Sequence, residues 1–458
     1  MGVDGVGLKR ELGLRTVVST SAGLAFAAVN FLAVVQVAAY TGGESLWVAM
    51  GMAAFLCLGA AFMFSELAAR HPTAAGLRVW LRRGISDDFS LGFTLVYLVA
   101  ILLVVAADAF VLGSVVHAAL PAVPGVAWVA AAILAVFFAN LRGVRMAGRL
   151  QDATTYALLA TLLVLSVISL AVHGLHPQRL WPPAGGAGGV AQGIAEGIFI
   201  FVGFEWVTPL AEEVRSATTL PPGMVWAVVL LAVVFTVFGL SLTALMPAGR
   251  LLHTTAPQLA VGRSALGGVG FWAMLAVTAV TAVTTFNGAF VAGSRLLYAL
   301  ARERALQPVF AHLNERMVPD RALAALTAVS LALALAVAAT GRYVYLINMG
   351  AAIESAMYAA AALALYGLRR REPQARPFFR APGGTLLLAA VGAVFLVLAA
   401  IAATLPGDLP PPGMPWGLVV LAVLGALSLY HVRRVAPALR RQAASRRPAA
   451  SARDGQGA

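Results

Sequence analysis

The amino-acid sequence predicts an all-α polytopic membrane protein. Three observations support this: the composition, a series of long apolar runs, and the distribution of basic residues. Hydrophobic residues make up 60% of the 458 residues, charged residues only 11%, and the mean hydropathy is +0.87. Because soluble domains carry about 25% charged residues, this composition excludes an ordinary soluble domain.

Twelve apolar runs are long enough to be transmembrane helices, since a helix needs about 20 residues to cross the hydrocarbon core of a bilayer. We expect spans at 16–40, 46–69, 90–119, 125–141, 152–173, 190–211, 223–246, 270–300, 322–340, 343–367, 384–405 and 414–432. Residues 1–15 then form a short N-terminal segment, and residues 433–458 form a basic tail. The single cysteine, Cys57, excludes an internal disulfide.

The basic residues are concentrated in alternate loops of this twelve-span arrangement. All but four of the 32 Lys and Arg residues fall on the side that holds both termini, and the four exceptions are Arg179, Arg250, Arg263 and Arg342. Cytoplasmic loops carry an excess of Lys and Arg, so both termini are predicted to be cytoplasmic. This distribution explains the net charge of +13 without a nucleic-acid partner. We expect the tail 433–458 to be disordered or to lie on anionic membrane lipid.

The sixth span, within 189–215, combines apolar length with buried acids and helix-breaking residues. It contains Glu196 and Glu205, and Gly203 and Pro209 interrupt its second half. Freed backbone groups are tolerated at membrane depth only where they line a cavity or are buried in protein. The stretch is therefore interpreted as a discontinuous helix with a binding site at its break. The alternative is a kinked helix whose Glu bonds a neighbouring helix.

The first span has its own irregularity, a polar cluster that contains Ser19, Thr20, Ser21 and Gly23. Hydroxyls compete for backbone carbonyls and Gly lowers helix stability, so we expect unwinding near 19–24. The alternative is a regular helix whose small residues pack against its neighbours. Spans one and six are equivalent if the first ten spans form two repeats of five. Paired interruptions in equivalent spans indicate a transporter site.

Four motifs resemble those of the amino acid–polyamine–organocation permeases. They are FSELAARHPTAAGLRVWLRR at 64–83, NLRGVRMAGRLQD at 140–152, FVGFEWVTPLAEEVR at 201–215, and the segment 286–323 that begins FNGAFVAGSRLLYALARER. The resemblance implies a leucine-transporter-type fold in a bacterial cytoplasmic membrane. In that fold, 16–173 and 174–367 are inverted repeats of five spans, spans one and six are broken, and 368–432 holds two further spans.

The resemblance also implies a binding site for the substrate. In the family, main-chain groups of the two broken spans bind the α-carboxylate and α-amino group of an amino acid, and an aromatic side chain closes over it. The corresponding positions are Ser21, Ala22 and Gly23 in span one, Phe201, Val202 and Gly203 in span six, and Phe199 as the gate. Some proton-coupled members have a lysine where this chain has Leu158, and Lys9 is its only lysine.

Buried polar residues supply the remaining candidates. Asp108, mid-span among apolar neighbours, is predicted either to pair with a substrate cation or to carry a proton, the alternative being a packing hydrogen bond. Candidates for coupling or gating are Glu205, Thr284, Thr285, Asn287 and Glu354. The coupling ion is expected to be H⁺ or Na⁺. We find no catalytic set, no confident metal site and no cofactor motif.

We therefore expect a secondary transporter that moves an amino acid or related amine by alternating access and is coupled to a cation. The alternatives within this class are a proton-independent exchanger and an organic-cation carrier. The alternative from another class is a membrane sensor on a transporter scaffold, but a sensor would need a signalling domain that the sequence lacks.

Overall fold

The computed structural model describes residues 13–72, 76–143, 148–212, 214, 216–410 and 414–445. The α-helices are α1 Leu14–Ala25, α2 Asn30–Thr41, α3 Leu46–Arg70, α4 Gly76–Gly84, α5 Asp87–Ala119, α6 Gly125–Leu141, α7 Gly148–His173, α8 Pro177–Leu180, α9 Gly186–Gly197, α10 Leu220–Leu245, α11 Ala248–Leu251, α12 Pro257–Arg302, α13 Asp320–Thr340, α14 Val344–Arg371, α15 Thr385–Thr404, α16 Trp416–Tyr430 and α17 Ala436–Ser445. Short 3-10 helices lie at Ile198–Phe201, Phe204–Glu212, Ala217–Thr219 and Pro308–Ala311, and a π-helical turn lies at His431–Val435.

The predicted class, an all-helical multi-pass membrane protein, is confirmed. In the described part of the chain, ten helical segments are long and apolar enough to cross a bilayer. The pair α1 and α2 passes the same test as one unit bent by 68°, which brings the number to as many as eleven. We call this pair span one, and we call α9 together with the 3-10 helices Ile198–Phe201 and Phe204–Glu212 span six.

Two predicted boundaries change. The eighth span was expected at 270–300, but α12 starts at Pro257 and bends at Leu266–Gly267, where Gly267 has φ 57°. The two arms of this bend touch, because a Cβ on Gly262 would lie 2.3 Å from the Gly270 carbonyl oxygen. Glycine at both positions therefore lets the two backbones touch. Because of this packing, the helix begins before the predicted start of the eighth span.

The expectation of a disordered tail from residue 433 is wrong for its first part. The chain continues as helix through Ser445. Val432 and Ala436 are buried against Leu91 and Leu300, so apolar contacts hold this helix on the bundle. Residues 446–458 lie outside the described part of the chain.

In span one, α1 lies between α7 and α10 and contacts the second half of span six, whereas α2 packs against α9 in the first half. The helix α14 packs against α15, α5 and the first half of span six. Edge-to-face aromatic contacts fill the space on one side of span one, where Phe26 and Phe31 meet Phe235. On the other side, Phe204 and Tyr358 form a second aromatic group. The two broken spans are thus enclosed by packed side chains.

Buried ion pairs join one end of α3 to α14. Both carboxylate oxygens of Glu66 accept hydrogen bonds from Arg369, at 3.1 and 2.5 Å, and Oε1 also accepts one from Arg70. The main-chain N–H of Ala381 donates to Glu66 at 2.9 Å. These bonds satisfy a carboxylate that has no solvent exposure. They therefore link the ends of two long helices.

Candidate functional site

The break of span one lies at Phe26–Val29, between the end of α1 and the start of α2. The prediction of unwinding near 19–24 is therefore wrong, and Ser21, Ala22 and Gly23 lie in the last turns of a regular helix. Close packing against α7 requires glycine at position 23, since a Cβ on Gly23 would lie 2.5 Å from Thr155 Oγ1.

The polar cluster that suggested unwinding instead binds α7. The Thr16 hydroxyl donates to Asp152 at 2.9 Å, and the Ser19 hydroxyl donates to the other oxygen of the same carboxylate. The Ser21 hydroxyl donates to the Phe204 carbonyl oxygen at 2.6 Å. The hydroxyls therefore hold α1 against α7 and span six. Asp152 was missed in the sequence because its partners lie more than 130 residues away.

Span six is interrupted at Gly203. After α9, the chain forms the 3-10 helix Ile198–Phe201, passes through Val202 and Gly203, and continues in the 3-10 helix Phe204–Glu212. Gly203 has φ +105°, a conformation that residues with a Cβ rarely adopt. The interruption is therefore a backbone feature that specifically requires glycine. The side chain of Pro209 lies outside the described part.

The two breaks touch each other. A Cβ on Gly203 would lie 2.8 Å from the Leu24 carbonyl oxygen and 3.2 Å from Ala25 Cα. The Asn30 amide bridges both spans, donating to the Ala25 carbonyl oxygen at 2.8 Å and to the Ile200 carbonyl oxygen at 3.1 Å. Main chain of span one thus lies directly against main chain of span six, with one amide side chain joining them.

Asp108 lies at the break of span one. Its Oδ1 accepts a hydrogen bond of 2.7 Å from the N–H of Val29, which is the residue that precedes the first turn of α2. Its Oδ2 and Thr285 Oγ1 are both buried without a well-formed hydrogen bond to any described residue, although Thr285 faces the same carboxyl. The structure therefore brings together α5, the start of α2 and α12 around the carboxyl of Asp108.

Glu205 lies at the break of span six. Its Oε2 accepts from the main-chain N–H of Gly203 at 3.2 Å and from the Tyr358 hydroxyl at 3.4 Å, and its Oε1 accepts from the Tyr97 hydroxyl at 3.3 Å. Trp206 donates its indole N–H to the Tyr97 hydroxyl at 2.6 Å. The carboxyl of Glu354 faces Glu205 from α14, one helical turn before Tyr358. Tyr97, Tyr358 and Trp206 were not predicted as site residues.

Phe199 is buried on the face of α14, where a Cβ on Gly350 would lie 2.3 Å from its ring. Phe201 is buried next to it, and Val202 is partly exposed. Glycine at 350 therefore makes room for the predicted gate residue beside the break.

Two candidates lie apart from the breaks. The Thr284 hydroxyl donates to the Thr281 carbonyl oxygen of its own helix at 2.8 Å. Asn287 is exposed and accepts a 2.9 Å hydrogen bond from Asn140 of α6. In this conformation, neither bonds to a residue of the breaks.

The protein is a bundle of long apolar helices in which two interrupted spans touch through their main chain. This arrangement is typical of membrane transporters. The chain belongs to the amino acid permease family, whose model matches residues 12–427. The match covers most of the chain. Membership of this family makes the protein a transporter rather than an enzyme.

Several characterised and uncharacterised transporters are similar to the chain. The methylthioribose transporter of Bacillus subtilis is 25% identical over 76% of this chain and 78% of that protein. The branched-chain amino acid permease of the same organism is 23% identical over 85% and 88%. An uncharacterised transporter of Mycobacterium tuberculosis is 29% identical over 93% and 92%. The manganese transporter of Eremococcus coleocola is similar in fold, with a TM-score of 0.58 at 12% identity over 96% of this chain and 99% of that one.

Proposed function

We propose that the protein is a secondary transporter that moves an amino acid or a related amine across the cytoplasmic membrane by alternating access, coupled to a cation. The observation that carries this proposal is the contact of Gly203, at the break of span six, with Leu24 and Ala25, which directly precede the break of span one. Helix interruptions at membrane depth free main-chain groups, and paired interruptions commonly form transporter sites. Phe201, Val202 and Gly203 supply main chain to the substrate in this proposal, with Phe199 as the gate.

The topology proposed for this function has twelve spans and both termini in the cytoplasm. It counts the 17-residue apolar helix α6 as a span in addition to those that pass the length test. The first ten spans then form two inverted repeats of five. The distribution of Lys and Arg supports this count, because omitting one span would place the basic loops on both sides of the membrane.

The burial of the breaks supports alternating access. Phe26 and Phe204 are almost completely shielded from solvent, and so is Ala28 between the two halves of span one. A substrate can therefore reach this main chain only after helices move. The buried bonds between Glu66 and Arg369 are suited to hold the predicted cytoplasmic end closed in one of the two states.

A substrate with a free amino group suits the interrupted ends of the half-helices. The C-terminal end of α1 presents carbonyl oxygens towards the break, and carbonyl oxygens attract an ammonium group. The branched-chain amino acid permease among the relatives supports an amino acid.

An organic-cation carrier is the second candidate, and Asp108 favours it. The N-terminus of α2 carries a partial positive charge that would suit a substrate carboxylate. In this structure the carboxyl of Asp108 already accepts the Val29 N–H at that position. A substrate that has an amino group and no carboxylate would leave this hydrogen bond intact.

The proposal is tested by counterflow in proteoliposomes that contain the purified protein. Radiolabelled leucine, serine, putrescine and methylthioribose are each offered outside vesicles loaded with the same unlabelled compound. We expect at least one of the four to enter faster than in protein-free vesicles. If none of them exchanges, the proposed function is wrong for these substrate classes.

Substitution of Gly203 by Leu is expected to abolish this counterflow. A branched side chain would clash with the Leu24 carbonyl and would have to adopt a positive φ. The matched control is Gly51→Leu in α3, where a Cβ would meet nothing within 4 Å. Both variants should be monodisperse in detergent. Normal exchange by the Gly203 variant would show that main chain at this break does not bind substrate.

A further inference from the structure

The carboxyls of Glu205 and Glu354 are buried next to each other at the centre of the bundle. Glu205 is 4% exposed and Glu354 is 1% exposed. They come from different elements, span six and α14, and Tyr358, one helical turn after Glu354, donates to Glu205 at 3.4 Å. The two carboxyls therefore face each other. Two carboxylates that face each other in a low-dielectric interior repel each other strongly, so both cannot be ionised at once.

The hydrogen bonds of the two residues are unequal. Glu205 accepts three hydrogen bonds, from Gly203 N–H and from the hydroxyls of Tyr97 and Tyr358. Glu354 Oε1 is buried and has no partner among the described residues. An ionised oxygen in that position would be very costly, whereas a protonated Glu354 can donate to Glu205. The arrangement therefore fits a carboxylate at Glu205 and a carboxylic acid at Glu354.

The groups that face the pair supply no positive charge to replace a proton. They are the thiol of Cys57 on α3, the hydroxyl of Tyr97 on α5, and the hydroxyl of Tyr358 on α14. Trp206 of span six reaches the pair through the Tyr97 hydroxyl. All of these groups can donate or share a hydrogen bond, and none of them is a cation. Among the residues that the structure describes around the pair, no positive side chain replaces a bound proton.

We propose that Glu205 and Glu354 together hold one proton and that this proton is the coupling ion of the transporter. The inference rests on the proposed transport function and names its ion and its site. Loss of the proton would leave two adjacent negative charges, and their repulsion would pull Glu205 away from the N–H of Gly203. The protonation state of the pair is thereby linked to the main chain at the break of span six.

This site differs from a lysine-based one. The chain has Leu158 at the position where some related permeases have a lysine, and its only lysine is Lys9. A proton on a carboxyl pair carries out coupling without any basic residue in the membrane. The pair also joins span six to α14, two elements that must move relative to each other if the bundle is to open.

The first experiment needs no substrate. Infrared spectra of the purified protein labelled with ¹³C-glutamate report the C=O stretch of protonated glutamic acids, which ionised carboxylates lack. We expect Glu354→Gln to lose one such band, and the matched exposed control Glu315→Gln to lose none. In the unsubstituted protein, the band should disappear reversibly as the pH rises. A spectrum without a labelled carboxylic-acid band at neutral pH would overturn the proposal, whether or not any variant folds.

The second experiment separates coupling from transport. With leucine or another compound that exchanges, Glu354→Gln should retain counterflow, since the amide mimics the protonated acid. It should lose the accumulation driven by an imposed pH gradient, so that the internal concentration only equals the external one. Glu315→Gln should accumulate like the unsubstituted protein. Undiminished accumulation by Glu354→Gln would overturn the pair as the coupling site, whereas absence of counterflow in every protein would count against the transport function itself.

A metal ion is the competing occupant of two adjacent carboxyls. A gradient of Mn²⁺ or Na⁺, imposed in place of the pH gradient, distinguishes a metal ion from a proton. Accumulation that follows an Mn²⁺ or Na⁺ gradient at constant pH, and is lost in Glu354→Gln, would overturn the proton as the ion. In the described part of the chain, no group of three or more His, Cys, Asp or Glu side chains is placed to hold a metal.

Discussion

The buried Asp108 carboxyl shows how a single residue can be costly in hydrocarbon and still be stable. An isolated charge there would be unfavourable, and the Val29 N–H at 2.7 Å provides a hydrogen bond at a partly positive helix end. Its second oxygen remains without a partner, beside Thr285. One oxygen of Asp108 thus accepts the Val29 N–H at the start of α2, and the other oxygen can accept a further hydrogen bond.

Substitution of Asp108 by Asn separates these two roles. Asparagine keeps the shape and an acceptor for Val29 but removes the charge. We expect affinity for amines without a carboxylate, such as putrescine, to fall about tenfold, which corresponds to about 1.4 kcal/mol. Affinity for amino acids with a carboxylate should stay equal or rise, because an anion that competes for the α2 N-terminus is gone.

Equilibrium binding to the purified protein measures both affinities, and Asp88→Asn is the matched control because Asp88 is exposed. Asp108→Ala should also lower thermal stability, since it leaves the Val29 N–H unsatisfied at a cost of about 1–3 kcal/mol. If Asp108→Asn binds both substrate classes like the unsubstituted protein, the carboxyl is only a structural acceptor.

At the scale of the element, the two broken spans act as one unit held together by Asn30. Its amide donates to carbonyl oxygens of both spans, which the helix breaks leave without their usual partners. A regular helix would need no such side chain, because each carbonyl would accept from the N–H four residues later. Asn30 therefore replaces two backbone hydrogen bonds at the point where the spans meet.

We expect Asn30→Ala to destabilise the protein by about 1–3 kcal/mol, the contribution of two hydrogen bonds to buried carbonyls. It should also reduce substrate binding, because the two breaks would no longer be held at a fixed distance. Thermal unfolding in detergent and equilibrium binding measure the two effects. Asn140→Ala is the comparison, since its side chain bonds α6 to the exposed Asn287. Equal and small losses in both variants would contradict a special role for Asn30.

The sequence predicted these elements to different degrees, for physical reasons. Apolar length is a local property, so most spans lie where they were expected. The interruption at Gly203 was also predicted locally, because Gly203 and Pro209, six positions apart, each weaken a helix. The break of span one was predicted in the wrong place. Hydroxyl side chains next to Gly23 are expected both in a helix that unwinds and in one that packs closely against its neighbours. Only the contact with Thr155 and the bonds to Asp152 distinguish the two cases.

Residues that act through distant partners could not be predicted from one sequence. Tyr97 and Trp206 are 109 positions apart, and their hydrogen bond depends on how α5 packs against span six. The sequence predicts Glu354 only as one of several coupling candidates, and the fold places it beside Glu205. Such pairs are set by tertiary packing, which local periodicity does not encode.

At the scale of the whole molecule, the number of spans determines whether the two termini lie on the same side of the membrane. The apolar helix α6 has 17 residues and is too short to count among the ten candidate spans, so it decides whether the chain crosses the membrane eleven or twelve times. Twelve crossings place both termini on one side, and eleven place them on opposite sides. With eleven, the basic residues at 70–83 and those at 142–149 would lie on opposite sides of the membrane, contrary to the positive-inside rule.

Single cysteines at the two ends of α6 decide between these topologies. Cys57 is the only native cysteine and has no solvent exposure, so it gives little background labelling. Val123 and Arg142 are exposed at opposite ends of the helix. We expect a membrane-impermeant maleimide to label Val123→Cys in intact cells and to label Arg142→Cys only after permeabilisation. The exposed positions His253 and Gln374 serve as controls, His253→Cys for the outer face and Gln374→Cys for the cytoplasmic face. Labelling of both α6 ends from the same side would make α6 a re-entrant helix, and the twelve-span topology would be withdrawn together with the cytoplasmic position of one terminus.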